Sequence, residues 1–463
     1  MVGCGISAEA EAIVMVTQLT IVGGGITGLA AAFIAARQGC KVTVLESSHQ
    51  FGGLLNTFEI GGTRLEYYYH HFFTHDAEIN WLLGELGLTN AVVFAKTTMG
   101  VFRDGQIFNL NGLVDLLKFK PVGFLGKARF VCTSLYLGKI ADWRKWEHVS
   151  CLDWFYRYAG KEVTDSLWKP LLVIKFGPYF AQIPVTWMIG RLAQRMNSRK
   201  GGDERLGYLK GSLHVLLERL LDNLSTMRVE LIEDAPVEAV NIVGNRLESI
   251  QTPKGRFGGG PVLFTLPTIY LEPILRHAGV NELADRLAPI EYFGAVCVIL
   301  EMTHPLSHVY WLNIADAGFP FGGVIEQTNF VPPADYQGRH IAYLSRYFSH
   351  AEPIAKMSHE EVKGHMLATL PQVFPNFRQE HLKAVYVFRT NTAATVCDLG
   401  FSRKVPPCRT EVENLFLCNM CHIYPDERSC NNSIRIAAEA LRVIGLDTAM
   451  VPRHRSFSGN IGF

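Results

Sequence analysis

The segment from Leu19 to Glu46 constrains the fold of this chain most, because it reads strand, glycine turn, helix, strand and acid. Gly23, Gly25 and Gly28 stand in the spacing G-x-G-x-x-G. In such a unit the first glycine permits a tight turn and the second lets the backbone approach a pyrophosphate. The third lets the helix pack closely on the strand, and Glu46 can accept hydrogen bonds from a ribose. The segment therefore predicts a dinucleotide-binding βαβ unit.

The composition is that of a globular protein, and the chain is long enough to form the hydrophobic cores of two or three domains. The chain has 463 residues, of which 48% are hydrophobic and 19% charged. Its net charge of +1 provides no overall field for nucleic acid, so we expect no such partner. No run of about eighteen uncharged apolar residues occurs, and residues 1–17 lack the basic start of a secretory signal. Ten cysteines lack the density of a disulfide scaffold, so we expect a cytoplasmic location.

A second glycine pair, Gly52-Gly53, follows Glu46 closely, as it does in flavoproteins whose chain passes beside the cofactor diphosphate. With this pair the chain resembles the flavin amine oxidase superfamily, which includes protoporphyrinogen oxidases, phytoene-type desaturases and UDP-galactopyranose mutases. The resemblance implies FAD as the cofactor, bound in this part of the chain by Gly23, Gly25, Gly28, Glu46, Ser47, Gly52 and Gly53. The chain departs from the family where arginines are common, at Ser48, Gln50 and Leu54.

Two later segments extend the resemblance. A strand over 262–264 and the turn Thr265-Leu266-Pro267 match the return of these proteins to their dinucleotide domain, and Val237 takes the position that pairs with adenine. Near the C-terminus, a strand over 414–417 precedes a loop and a helix from about Asn432. The resemblance implies that Asn419 lies near the ribityl chain, where the family has Gly-Asp followed by the flavin-facing helix. Asn432 and Ser433 can cap that helix.

Four side chains are candidates for the chemistry. In the aromatic segment 67–73, His70 and His71 should point to opposite faces of an extended chain, and we expect His71 to face the flavin. Lys210 precedes a helix and can reach the flavin or the substrate, or it is a surface lysine. Glu326 and Asn329 end an apolar strand, where they hold a polar group of the substrate or are solvated at a sheet edge.

Residues 112–180 are predicted to be helical, and the part 112–139 mixes large apolar residues with five basic residues and one acid. One interpretation is a basic amphipathic surface that rests on an anionic membrane. A second is an apolar entrance for a lipid-like substrate. The third is an ordinary helical subdomain in which lysines extend their charged ends to water.

The cysteines near the C-terminus do not predict a metal site. Cys418 and Cys421 are spaced C-x-x-C, and Cys397, Cys408 and Cys430 lie nearby in the sequence. The spacing after the first pair fits no regular zinc finger or ribbon, and Cys418 follows directly on a predicted buried strand. We therefore expect no metal.

Together these features predict an α/β fold with a discontinuous Rossmann-type FAD-binding domain over 18–95, 200–275 and 385–446. An α+β substrate domain with an antiparallel sheet is predicted over 96–199 and 276–384. The resemblance implies an oxidase or desaturase that removes a hydride from a C–H bond of an apolar or amphipathic small molecule, lipid-like or sugar-linked.

Two alternatives remain. One is a flavin-dependent sugar-nucleotide isomerase similar to UDP-galactopyranose mutase, which would need Arg64, Arg346 and Arg389 to converge on a diphosphate. The other is a flavin-binding protein without catalysis. The sequence does not determine the substrate, the electron acceptor or the oligomeric state.

Overall fold

The computed structural model describes residues 16–200, 203–452 and 461–463, in which we number helices and strands in chain order. The helices of the described residues are α1 (Ile26–Ala36), α2 (Ala77–Glu85), α3 (Leu113–Lys118), α4 (Phe124–Lys139), α5 (Cys151–Tyr158), α6 (Lys161–Val163), α7 (Lys169–Phe176), α8 (Val185–Asn197), α9 (His214–Thr226), α10 (Thr268–His277), α11 (Asn281–Leu287), α12 (His359–Val373) and α13 (Cys430–Ile444).

The strands of the described residues are β1 (Gln18–Val22), β2 (Lys41–Leu45), β3 (Thr57–Ile60), β4 (Thr63–Glu66), β5 (Phe72–Phe73), β6 (Val92–Lys96), β7 (Met99–Arg103), β8 (Gln106–Asn109), β9 (Arg199–Lys200), β10 (Asp203–Leu209), β11 (Glu230–Ile232), β12 (Ala239–Val243), β13 (Arg246–Thr252), β14 (Gly255–Gly258), β15 (Val262–Phe264), β16 (Tyr292–Met302), β17 (Trp311–Ile314), β18 (Gly323–Glu326), β19 (His340–Phe348), β20 (Leu382–Thr395) and β21 (Leu415–Leu417).

A five-stranded parallel sheet carries the glycine turn. Its strand order is β11-β2-β1-β15-β21, so strands far apart in the chain become neighbours. Ile21 and Leu263 face the core under α1 and α13, while Val22 and Phe264 face the opposite core, which β12–β14, α10 and α11 cover. Because both faces are covered, the strands β15 and β21 are apolar throughout. The predicted Rossmann-type fold class is confirmed.

The helix after the first strand packs unusually close to it. Eight of the eleven residues of α1 are buried, since most of its side chains are small or apolar. A Cβ on Gly28 would lie 2.0 Å from the carbonyl oxygen of Gly23 and 3.2 Å from the Ile21 side chain. Only glycine therefore fits at this crossing.

A second, larger sheet has the order β20-β16-β19-β18-β17-β7-β8. Its neighbouring strands are antiparallel except for the pair β17 and β7. The central strand β16 buries ten of its eleven residues, and α12 covers one face of this sheet. The predicted antiparallel sheet is thus present.

One segment differs from its predicted place. Residues 385–389 were expected to begin the return to the cofactor domain, but they belong to β20, where Val385 pairs with Leu300 and Arg389 pairs with Val296. The reason is that β16 is apolar on both faces and lies inside its sheet, so it needs a hydrogen-bonding partner on each side. The exact domain boundaries stay a prediction.

Helices α4–α8 contribute to a further core that is rich in aromatic side chains and includes residues of β7 and β16. Phe155 and Trp168 stack with ring centres 4.4 Å apart, and Phe130 stacks on the other side of Trp168 at 4.9 Å. None of the helices in the described residues is long and apolar enough to cross a membrane.

We expect Gly28→Ala to lower the free energy of unfolding by about 1–3 kcal/mol, because the new methyl group would overlap the Gly23 carbonyl. The matched control is Gly84→Ala in α2, whose Cβ would have 4.0 Å of clearance from Thr89. This change should raise stability by up to about 1 kcal/mol through helix propensity. Urea unfolding of both variants is the measurement, and equal effects would contradict the close-packing argument.

Candidate functional site: a cavity at the carboxyl edge of the parallel sheet

A cavity of about 600 Å³ lies where the parallel sheet meets the large sheet. Gly23, Glu46 and Thr265 line it directly after β1, β2 and β15, at the carboxyl ends of the strands. Trp311 and Asn313 of β17 line the side formed by the large sheet. The carboxyl edge of an open parallel sheet is where such folds bind ligands.

Two glycine turns pack together at the dinucleotide end of the cavity. The amide of Gly52 donates to the carbonyl oxygen of Gly24 at 2.9 Å, and a Cβ on Gly53 would lie 3.2 Å from the Cα of Gly25. A Cβ on Gly25 would meet nothing within 4 Å. Gly25, Gly52 and Gly53 all line the cavity, so the backbone is open to a ligand at this point.

The carboxylate of Glu46 is held by its own neighbours. It accepts hydrogen bonds from the amide of Gly24 at 2.7 Å and from the amide and hydroxyl of Ser48, both at 2.9 Å. The hydroxyl of Ser47 donates to it at 3.1 Å. Glu46 and Ser47 line the cavity in an orientation set by these bonds. Ser48, which stands where the family has a basic residue, thus helps to position the acid.

The last helix directs its N-terminus at the cavity, but it begins earlier than predicted. Helix α13 starts at Cys430, and the Ser429 hydroxyl accepts the amide of Asn432 at 3.1 Å, so Ser429 is the cap. The predicted capping role of Asn432 and Ser433 is therefore wrong, because both lie within the first turn. Ser433 lines the cavity, where the helix terminus contributes partial positive charge.

Asn419 and Asn432 shape the cavity wall without lining it. The Asn419 side chain donates to the carbonyl oxygen of Leu266 at 2.9 Å and accepts the amide of Cys421 at 3.1 Å. Asn432 donates to the carbonyl oxygen of Glu427 at 2.8 Å. Asn419 therefore ties the loop after β21 to the turn after β15. Its neighbour Met420, in the loop that follows, lines the cavity instead.

Val237 and Gly28 also lie outside the cavity lining. Val237 is half-buried and precedes β12. The role of Gly28 is the close packing of α1 described above. Neither observation tests whether Val237 contacts an adenine.

Both histidines of the aromatic segment line the cavity, so they do not point to opposite sides as expected, and whether His71 faces a flavin stays a prediction. Residues 67–71 are irregular, and strand alternation does not apply to them. His70 Nδ1 donates to the carbonyl oxygen of Tyr68 at 2.5 Å, and His71 Nδ1 lies 3.4 Å from the Tyr310 hydroxyl. Burial lowers the pKa of His70 to about 4 and the pKa of His71 to about 3. Both rings are therefore neutral at pH 7.

A cluster of charged residues that sequence reasoning missed lies in the cavity wall. The carboxylate of Glu427 pairs with Lys175 of α7 and with Arg191 of α8, the latter at 2.8 Å. Burial alone would raise the pKa of Glu427, but these two cations lower it well below its usual value. Burial lowers the pKa of Lys175 to about 8, although the charge of Glu427 opposes this shift. At pH 7 the lysine is therefore mainly charged.

Two further arginines make this end of the cavity cationic. Arg195 pairs with Glu204 at 3.2 Å, and Arg428 donates to the Tyr347 hydroxyl at 3.1 Å. Both line the cavity beside Lys175 and Arg191. No motif could reveal the cluster, because the paired residues Arg191 and Glu427 lie 236 residues apart in the chain.

Three of the predicted catalytic residues lie elsewhere. Lys210 is exposed after β10 and does not line the cavity. Glu326 is buried and accepts the amides of Leu306 and Ser307 at 2.8 and 2.9 Å. Asn329 donates to the carbonyl oxygen of the same Ser307 at 3.0 Å. None of the three lines the cavity, and their contacts with the substrate or the flavin stay predictions. Glu326 and Asn329 satisfy the polar backbone of a loop beneath the sheet.

The arginines predicted for a sugar-nucleotide diphosphate do not converge. Arg64 donates to Thr57, Arg346 pairs with Glu352, and Arg389 donates to the carbonyl oxygen of Ala355. None of the three lines the cavity. This part of the isomerase hypothesis is wrong, because Arg64 bonds within its own hairpin while Arg346 and Arg389 contact the segment that follows β19.

Cys418 and Cys421 are both buried and unoxidised. Burial raises the pKa of both thiols. In the described part of the chain no three His, Cys, Asp or Glu side chains are grouped so that they could hold a metal ion.

Parts of the chain are similar in sequence to known proteins. Residues 21–86 match a family model described as an NAD(P)-binding Rossmann-like domain. The mitochondrial protoporphyrinogen oxidase of Nicotiana tabacum is 26% identical over 350 residues, which cover 69% of this chain and 63% of that protein. The chain thus spans less than two thirds of the length of this relative.

Solved structures share the fold over nearly the whole chain. A reduced UDP-galactopyranose mutase superimposes with a TM-score of 0.73 at 14% identity, covering 96% of each chain. The cyclohexylamine oxidase of Brevibacterium oxydans superimposes with a TM-score of 0.69 at 14% identity, covering 93% of this chain and 98% of its own. The chain thus shares the fold of these enzymes over nearly its whole length, and its sequence is similar to that of a protoporphyrinogen oxidase.

Proposed function

We propose that the protein is an FAD-dependent oxidoreductase that removes a hydride from a C–H bond of an amphipathic small molecule with an anionic group. One observation carries the proposal: a single cavity joins the dinucleotide turn at Gly25 to a cationic wall at Lys175 and Arg191. The names of the tobacco relative and of the cyclohexylamine oxidase, both oxidases, support the reaction class.

The residues at the dinucleotide end fit FAD. The open space at Gly25 and the N-terminus of α1 suit a pyrophosphate. The oriented carboxylate of Glu46 suits a ribose. The N-terminus of α13, with Ser433, would place partial positive charge beside the far end of the same cofactor. When bound, a flavin accepts the hydride and supplies the redox chemistry.

The chain's own residues would bind and orient the substrate. Phe176, Trp187 and Phe293 give the cavity an apolar wall that excludes water. His71 is neutral at pH 7 and, with a pKa of about 3, is a weak proton acceptor there. Lys175 would attract an anionic group, because Glu427 neutralises only one of the two cations paired with it.

A second candidate is a sugar-nucleotide isomerase that uses reduced flavin without net oxidation. It is favoured by Arg191, Arg195 and Arg428, which line the cavity although the three predicted arginines do not. The similar fold of UDP-galactopyranose mutase is compatible with it. The oxygen experiment below separates the two candidates.

We expect Gly25→Val to weaken FAD binding by at least about tenfold, because the new side chain would occupy the space that a pyrophosphate needs. It should leave the fold intact, since a Cβ at this position meets nothing within 4 Å. Gly364→Val is the matched control at a glycine with equal space outside the cavity. Flavin fluorescence titration measures the affinity, and equal binding by both variants would refute the proposed cofactor site.

We expect the flavin of the purified protein to bleach on anaerobic reduction and to recover within seconds of readmitting air. An oxidase returns the electrons to oxygen, so hydrogen peroxide should form when candidate substrates with an anionic group are screened. Absorbance at the flavin band and peroxide release are the measurements. A flavin that stays reduced in air while a sugar nucleotide is isomerised would contradict the oxidase and support the second candidate.

We expect kcat/KM for such a substrate to fall by about tenfold as the pH rises through about 8, because Lys175 then loses its charge. Below that pH the lysine is protonated and its attraction for the anion is fully present. Lys175→Arg should move the fall to higher pH, and Lys175→Met should remove it. Lys161→Arg, at an exposed ion pair, is the control. An unchanged pH profile in Lys175→Arg would show that another group titrates.

A further inference from the structure

Four Lys and Arg side chains line the same end of the cavity, but only three of them have a carboxylate partner in the described part of the chain. These three are Lys175, Arg191 and Arg195. The fourth, Arg428, donates instead to the neutral hydroxyl of Tyr347 at 3.1 Å. An arginine whose charge the protein itself does not compensate is suited to bind an anionic ligand.

The acids next to Arg428 in the sequence are bound elsewhere. The carboxylate of Asp426 pairs with Arg435 of α13 at 3.0 Å. Glu427 directs its Oε1 atom to the two cations of α7 and α8. Because cations of other elements already hold both carboxylates, neither of them neutralises the guanidinium of Arg428.

Arg428 and Tyr347 form a pair of hydrogen-bond donors in the cavity wall, which both residues line. The strand β19 fixes the position of Tyr347, which pairs with Ala295 of the neighbouring strand. The hydroxyl oxygen of Tyr347 accepts from Arg428, and among the described residues no group accepts the proton of this hydroxyl. That proton is therefore available to a ligand. A planar guanidinium beside a hydroxyl donor matches the two oxygens of a carboxylate.

The imidazole beside Arg428 adds no second positive charge. His70 Nδ1 donates to the carbonyl oxygen of Tyr68, so the ring carries its proton on this nitrogen. Burial lowers the pKa of His70 to about 4, and the charge of Arg428 contributes to this shift. The ring is neutral at pH 7, so Arg428 is the cation that an anionic group would meet in this corner of the cavity.

We propose that Arg428 and Tyr347 bind the anionic group of the substrate directly, and that this group is a carboxylate. The proposal rests on the proposed function and assigns the residues that determine its specificity. Lys175 would add attraction across the cavity, since its own hydrogen bond goes to Glu427. A neutral analogue of the substrate would leave the guanidinium without an anionic partner and would bind weakly.

The test is titration calorimetry of the full chain with FAD added, using benzoate as the probe and benzamide as its neutral analogue. We expect the parent to bind benzoate at least about thirtyfold more tightly than benzamide. Arg428→Met should remove this difference and should still fold, because no carboxylate loses its partner. Arg428→Lys should retain part of the difference, since it keeps the charge but loses the planar fork. Tyr347→Phe should weaken benzoate binding by about threefold.

The matched control is Arg346→Met on the same strand, whose side chain pairs with Glu352 and does not line the cavity. It should bind benzoate like the parent. Loss of benzoate binding in Lys175→Met, with unchanged binding in Arg428→Met, would place the anion elsewhere in the cavity. That result would overturn the role of Arg428 and leave the proposed function intact. Equal binding of benzoate and benzamide by the parent would overturn both this role and the anionic group of the proposed substrate.

Discussion

The contact between α1 and β1 is the constraint on which the cavity depends. Because Gly28 has no side chain, the helix approaches the Gly23 carbonyl closely enough to turn its N-terminus toward the carboxyl edge of the sheet. The second glycine turn, at Gly52, then binds the first through the Gly24 carbonyl. Glu46 is fixed by the amide of the same Gly24. One close approach of backbone to backbone thus arranges the whole dinucleotide end.

The opposite end of the cavity depends on electrostatics instead. Glu427 is largely buried and stays ionised, because Lys175 and Arg191 surround it. Removing one charge from this cluster would leave the remaining charges buried without a partner, which would lower the free energy of unfolding. The cluster therefore connects α7 and α8 of the helical region with the loop before α13. It places a net positive charge in a cavity whose other walls are mainly apolar.

The predicted residues that line the cavity belong mainly to local segments. The turn at Gly23 and Gly25, the acid at Glu46 and the second turn at Gly52 all line the cavity, since each lies within a few residues of the same βαβ unit. Glu326 and Asn329 bind the backbone of a loop and do not line the cavity. Whether a polar side chain faces a cavity or binds a nearby loop depends on strands that pair across the sheet, and periodicity does not reveal that pairing.

The sequence by itself determined the parallel sheet and its glycine turn, because glycine spacing and apolar runs act through backbone geometry over short distances. It also contained the unusual composition of 112–139. Only the tertiary structure decided that Lys175 and Arg191 meet Glu427, and that Phe124 faces solvent while Gly138 faces Met196. These facts depend on how separate elements pack together, and packing joins residues that no local pattern relates.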